Sequence, residues 1–143
     1  MKCTTIIDKN REEEIILYVR ERSELSDKIE RLAAESSTEL FGYSGKSILK
    51  LDPREVFCFT IEDGKVFAVL KDKKARMSQR LYEIEKSFAS DFLKINQSCL
   101  INIKEIEKFD VSIGGALRVT LKNGYSDYIA RRQLKSVKER LGF

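Results

Sequence analysis

The sequence predicts a mainly β domain with small helices, preceded by an N-terminal strand and a long α-helix. Two observations carry the β assignment: from Ser47 onward, short apolar runs of strand length alternate with turn signals, and only two stretches in that region keep helical spacing. A third observation sets the front apart. The first 45 residues hold a single extended amphipathic pattern.

Taken in order, Lys2 to Ile7 reads as a short strand, and Asn10 with Glu13 forms a capping-box pattern that opens a helix from Arg11 to about Ala34. Ile15, Val19, Leu25, Ile29 and Leu32 make one stripe on that helix, interrupted by Arg22. Two readings fit the stripe: it packs on the domain's own sheet, or it is a dimer seam. Ser36 to Ser47 is rich in Ser and Gly and reads as a connector. The chain thus divides into a strand-helix appendage at 1–45, a candidate dimerisation element, and a domain at 46–143.

In the second part, SILKL (Ser47 to Leu51) ends at Asp52-Pro53, and EVFCFTI (Glu55 to Ile61) and KVFAVLK (Lys65 to Lys71) flank Glu62-Asp63-Gly64 as a hairpin. Ser78 to Ser87 reads as a short helix with Ser78 as N-cap and Leu81 and Ile84 inward. Gly114-Gly115 and Lys122-Asn123-Gly124 mark later turns. A final helix, Arg131 to Leu141, carries Leu134, Val137 and Leu141 on one face and stops at Gly142.

Composition narrows the function classes. With 143 residues, 42% hydrophobic and 35% charged, the chain suits one globular domain plus a short appendage. Its longest apolar runs, such as Val66 to Leu70, fall far below the roughly 18 residues of a membrane span. Asp8 interrupts what would be the apolar part of a signal peptide, so a cytoplasmic location is expected. There is no histidine, which removes Ser-His and Cys-His nucleophile systems and histidine bases. No phosphate loop or dinucleotide fingerprint is present, and no cofactor, metal or small-molecule substrate is implied. Cys3, Cys58 and Cys99 lack metal-ligand spacing. They read as reduced buried thiols, with a redox switch at Cys99 as the sharper alternative.

Charge is divided unevenly. Residues 1–45 hold 7 Lys/Arg against 10 Asp/Glu, net −3, whereas residues 46–143 hold 20 against 13, net +7. A basic C-terminal domain attracts polyanions but does not by itself specify DNA.

Two places carry candidate recognition chemistry. In FLKINQSCLIN (Phe92 to Asn102), Leu93 and Ile95 face the core, Lys94 and Asn96 point outward, and Gln97 and Ser98 form the bend. Asn and Gln match the N6/N7 edge of adenine, while Lys and Ser suit phosphate. Polar turns are equally ordinary in any β protein. Arg131 and Arg132 lie in the first turn of the last helix, where the dipole disfavours cations by up to about 1 kcal/mol each. An external phosphate or the O6/N7 edge of guanine relieves this. Solvation, or pairing with Asp127, is the competing reading.

These residues, taken together, carry a resemblance to the LytTR DNA-binding family. Phe92, Lys94, Ser98, Ile101 and Asn102 occupy the family's aromatic, basic, Ser, apolar and Asn places, and Ile129, Ala130, Arg131, Arg132 with Leu134 to Leu141 match its ending. The resemblance covers nearly all of Gly45 to Phe143. The front part resembles stand-alone members that lack a receiver domain, some of which are encoded with a small membrane protein that restrains them.

The resemblance implies an elongated stack of small antiparallel β-sheets whose edge loops enter successive major grooves of promoter repeats in double-stranded DNA, often bending it. By the same likeness, Lys65, Asn96, Gln97, Arg131 and Arg132 contact bases, Lys94 and Ser98 touch the backbone, and Asn102 is structural. Asn96 stands where the family often has histidine, and Ala130 replaces a hydroxyl residue, so sequence preference is not transferable from other members. The expectation is a non-enzymatic, sequence-specific transcription regulator acting as a homodimer. The competing class is a protein-interaction module that binds a partner such as a membrane regulator through strand edges and the N-terminal helix.

Overall fold

The computed structural model describes residues 1–11, 14–36 and 39–143, with the side chains of 34–36 left aside. Helix α1 (Glu24–Ser36) precedes the strands β1 (Leu40–Ser44), β2 (Ser47–Leu51), β3 (Cys58–Glu62), β4 (Lys65–Val69) and β5 (Lys74–Met77). Helix α2 (Leu81–Ser87) leads to β6 (Phe92–Asn96), β7 (Cys99–Asn102), β8 (Ile106–Val111), β9 (Leu117–Leu121) and β10 (Ser126–Tyr128), and α3 (Arg131–Leu141) closes the chain. The strands form a seven-stranded sheet, β2-β1-β5-β4-β3-β7-β6, and a three-stranded sheet, β10-β9-β8. The mainly β, antiparallel expectation is borne out.

The period-two alternation of the strands builds two cores on opposite faces of the large sheet. Phe59, Ala68 and Leu100 point to one side, where they meet Leu81, Ile84 and Phe88 around α2. Their chain neighbours Cys58, Val69 and Ile101 point to the other, where Val119 and Leu121 of the small sheet and Val137 of α3 cover them. Each fully buried side chain of this size contributes about 1.5–3 kcal/mol by leaving water. The small sheet and α3 pack over only part of that face. Further along it, the register places Phe67, Arg76, Tyr43 and Ile48 in one row across β4, β5, β1 and β2.

Several expected boundaries hold. The β3–β4 hairpin turns through Asp63 and Gly64, both at positive φ (51° and 75°), the geometry of a type I′ turn that glycine accepts without strain. Helix α3 spans the expected residues and ends on Gly142 in the left-handed region.

Others shift for identifiable reasons. Lys2 to Ile7 is not a strand: no described strand lies beside it to supply a ladder. The long helix is present only from Glu24, not Arg11. Ser23 and Ser26 cap its start reciprocally, each backbone N–H donating to the other's hydroxyl at 2.9 and 3.2 Å. Upstream, the β-branched Ile15, Ile16 and Val19 disfavour helix. Glu13 of the expected capping box lies outside the described residues, and the Asn10 N–H instead donates to Asp8 Oδ1 at 3.0 Å. Helix α1 packs against α2.

The Ser/Gly-rich connector contains β1, inserted between β2 and β5. Gly42 permits this: a Cβ there would sit 2.6 Å from the Ala75 Cβ. Ser78 does not cap α2. The helix starts at Leu81, and the Glu83 carboxylate reaches back to accept the Arg80 N–H at 3.1 Å. Strand β5 has too little apolar alternation to be seen in sequence, and pairing with β1 and β4 creates it.

Candidate nucleic-acid interface

Neighbouring antiparallel strands place two turns at one end of the large sheet. Glu62 pairs with Lys65 across the first, Thr60 pairs with Cys99 beside the second, and the Ile61 N–H donates to the Ser98 carbonyl at 2.9 Å. The tight Asp63–Gly64 turn leaves Lys65 exposed at the start of β4. Gln97 and Ser98 are exposed at the tip of the β6–β7 hairpin, Leu93 and Ile95 are buried as expected, and Lys94 and Asn96 are half-buried.

The second turn is fastened to the start of α3. The Ala130 N–H donates to the Ile95 carbonyl at 2.8 Å. Asn96 Nδ2 donates to Asp127 Oδ2 at 3.1 Å and to the Tyr128 carbonyl at 3.0 Å, and Asn96 Oδ1 accepts the Ser98 N–H at 2.8 Å. Both amide hydrogens of Asn96 are therefore spent on β10. Its side chain braces the turn.

Asp127 is occupied in turn. It accepts from Asn96, from the Tyr125 hydroxyl at 3.4 Å and from the Tyr128 N–H at 2.8 Å. Among the described residues it makes no ion pair with Arg131 or Arg132, which stand exposed on the first turn of α3. That turn has no acidic residue and no side-chain cap at Ala130, so its positive dipole end and two guanidinium groups face outward together.

On the opposite side of Gln97, an open groove of about 600 Å³ brings Lys65, Lys94 and Gln97 together with Gln79 and Arg80. Of the residues singled out in the sequence, Lys65, Lys94 and Gln97 thus share one groove, and Asn96, Arg131 and Arg132 are linked to it through the Ile95–Ala130 contact. Sequence reasoning missed Gln79 and Arg80, which lie in the stretch from Ser78 that reads only as a helix. It also missed Asp127 and Tyr128 as the partners of Asn96.

Behind the turn lies a buried polar cluster. Tyr125 Oη is 3.4 Å from Thr60 Oγ1 and 3.7 Å from Cys99 Sγ. Burial pushes the Tyr125 phenol above its ordinary value, and a hydrogen bond with Cys99 together with burial pushes up the Cys58 thiol. Both groups stay neutral at physiological pH. Cys58 and Cys99 are buried free thiols, and Cys3 is exposed. Asn102 is 2% exposed, donates from Nδ2 to the Val56 carbonyl at 2.9 Å and accepts the Lys104 N–H at 3.1 Å, which makes it structural.

Among the described residues no helix is long and apolar enough to cross a membrane, and no cluster of acidic or thiol side chains is arranged to hold a metal.

Stacked antiparallel sheets that present polar turns and the cationic start of α3 along one edge define a basic β-domain that offers its loops, not an enclosed cleft, to a partner. A LytTr DNA-binding domain from Bacillus cereus has this fold: TM-score 0.69 at 15% identity, covering 75% of this chain and 99% of that one. The LytTr DNA-binding domain family model matches residues 46–142, and the chain belongs to that family. It is also 36% identical over 107 residues to proteins described as uncharacterized HTH-type transcriptional regulators in Staphylococcus aureus strains NCTC 8325 and COL, covering 75% of this chain and 73% of each relative. The protein is a DNA-binding regulator of this family.

Proposed function

We propose that the protein is a non-enzymatic, sequence-specific transcription regulator acting in the cytoplasm as a homodimer on two half-sites. Its edge loops enter successive major grooves of promoter repeats. Gln97, Arg131 and Arg132 read bases, Lys65 contributes from the neighbouring hairpin, and Lys94 and Ser98 hold the backbone. Asn96 reaches a base only by giving up Asp127 or Tyr128, so its first role is to set the height and angle of Gln97. The observation that carries this reading is the Ala130-to-Ile95 hydrogen bond, which fixes the polar turn and the two arginines as neighbours on one edge.

The three described helices are separated in sequence by strands, so base reading is assigned to turns and to the start of α3 rather than to a helix-turn-helix. A protein partner has its own support: Ile15, Tyr18 and Val19 and, on α1, Leu25 and Leu32 are exposed apolar side chains. This is the surface for a second copy or for a small membrane regulator.

The test is titration of duplex DNA from upstream of the protein's own coding region, against a scrambled duplex, at two salt concentrations. Preference of about 10³-fold or more for the native duplex is expected. Six phosphate contacts would lower affinity about 10³-fold between about 50 and 200 mM salt. Equal, salt-insensitive binding would instead favour the protein-interaction module.

A further inference from the structure

We infer that the groove between the β5–α2 junction and the β6–β7 turn seats the phosphodiester backbone of the same duplex, held by Gln79 and Arg80 together with Lys94. The inference rests on the DNA-binding reading above and extends the contact edge past Gln97, away from α3.

Placement is the first argument. The groove opens at the strand ends where Lys65 and Gln97 project, so a duplex lying against Gln97 and Arg131 passes over its mouth.

Charge is the second. Lys65, Arg80 and Lys94 line the groove with one carboxylate, Glu85. None of these three cations forms an ion pair among the described residues, although nearby cations do: Lys74 pairs with Glu62 at 2.6 Å and Lys50 with Glu39 at 3.2 Å. Glu83, the acid closest in sequence to Arg80 on α2, accepts the Arg80 backbone N–H. Three cations against one carboxylate leave an excess of positive charge, and an external polyanion offsets it.

The chemistry of the side chains is the third. The guanidinium fork matches a phosphate through two parallel N–H donors. Arg76 is not part of this hold, because its guanidinium lies over the Tyr43 ring, 5.5 Å from the centroid, on the other face of the sheet. Gln79 adds an uncharged amide donor. Such contacts position the duplex and carry no sequence information.

The experiment uses full-length protein, the Arg80→Gln/Lys94→Gln double variant and Arg80→Gln alone. Each is titrated over a salt series against a duplex selected from a randomised pool and against a scrambled duplex. The double variant is expected to reduce the slope of log affinity against log salt by about 2 and the single by about 1, equally on both duplexes. The preference for the selected duplex stays unchanged. Arg80 has no aromatic partner among the described residues, so the single variant decides the matter if the double fails to fold. An unchanged slope in a folded variant overturns the inference, and so does a loss confined to the selected duplex. If wild type prefers no duplex, sequence-specific regulation fails, while the slopes on scrambled DNA still report on the groove.

Discussion

Asn96 Nδ2 lies 3.1 Å from Asp127 Oδ2, joining the β6–β7 turn to a strand of the other sheet 31 residues away in sequence. With the Tyr128 carbonyl as second acceptor and the Ser98 N–H as donor, this amide fixes where Gln97 stands relative to Arg131. A side chain that sequence alone suggests for reading adenine is thus turned inward to hold its neighbours in place.

Removing that brace has a measurable cost. Asn96→Ala is expected to destabilise the domain by about 1–3 kcal/mol, because Asp127 and the Tyr128 carbonyl lose a donor. Asn96→Asp costs more near neutral pH by setting two carboxylates together, and Asp127→Asn in the same chain recovers part of the loss. Chemical denaturation of wild type, Asn96→Asp, Asp127→Asn and the double variant gives the coupling energy, expected at about 0.5–3 kcal/mol. A coupling near zero would remove the Asn96–Asp127 contact from the account.

Gly42 makes a second prediction, concerning the fold. With only 2.6 Å between an added Cβ and the Ala75 Cβ, Gly42→Ala is expected to cost about 1–3 kcal/mol by overpacking. Ala75→Gly should restore much of that in the double variant. Thermal melts that leave Gly42→Ala as stable as wild type would contradict the close β1–β5 approach.

Much of the domain was legible because local signals agreed with tertiary context. The Asp63–Gly64 hairpin, the apolar face of α3 ending on Gly142, and the buried Leu93 and Ile95 all follow from residues within one element. What failed depended on partners far away. β5 becomes a strand only between β1 and β4, and β1 fits only because Gly42 meets Ala75. The front helix was overextended because the Ile15 to Leu32 spacing looked continuous, while the Ser23–Ser26 cap that starts α1 at Glu24 is a local signal that was passed over. Arg80 precedes α2 and meets Lys94 only through the folded sheet, so its place in the groove has no local signal. Asn96 was given a base because its acceptors, Asp127 and Tyr128, lie beyond any sequence window.

The thiols separate by burial. Native protein is expected to react with an alkylating reagent at Cys3 alone, with Cys58 and Cys99 modified only after denaturation. Mass spectrometry of native and unfolded samples counts the modified sites. Rapid native modification of Cys99, with loss of DNA binding, would restore the redox-switch reading.

The same cluster sets an alkaline limit. The folded state holds the protons of Cys58 and Tyr125 above the values of the unfolded chain, so their contribution is fully present below about pH 8.5, where an unfolded thiol begins to titrate. It is lost as pH rises from there, because the unfolded chain releases protons that the folded chain keeps. Stability measured by denaturant from pH 7 to 10.5 is expected to decline above about 8.5. At the acid end, the hydrogen bond from Arg54 holds the half-buried Asp52 carboxyl below its ordinary value, and its contribution disappears as pH falls through that lowered value. A flat profile through pH 10 would contradict the buried neutral cluster.

The central claim, that this edge divides into base-reading and backbone-holding residues, is met most directly by comparing Arg132→Ala and Lys94→Ala on a selected duplex and on a scrambled one at fixed salt. Arg132→Ala is expected to lose about 1–3 kcal/mol on the selected duplex and little on the scrambled one, with specificity relaxed at one base, while Lys94→Ala weakens both alike. Equal loss on both duplexes for Arg132→Ala would contradict the account.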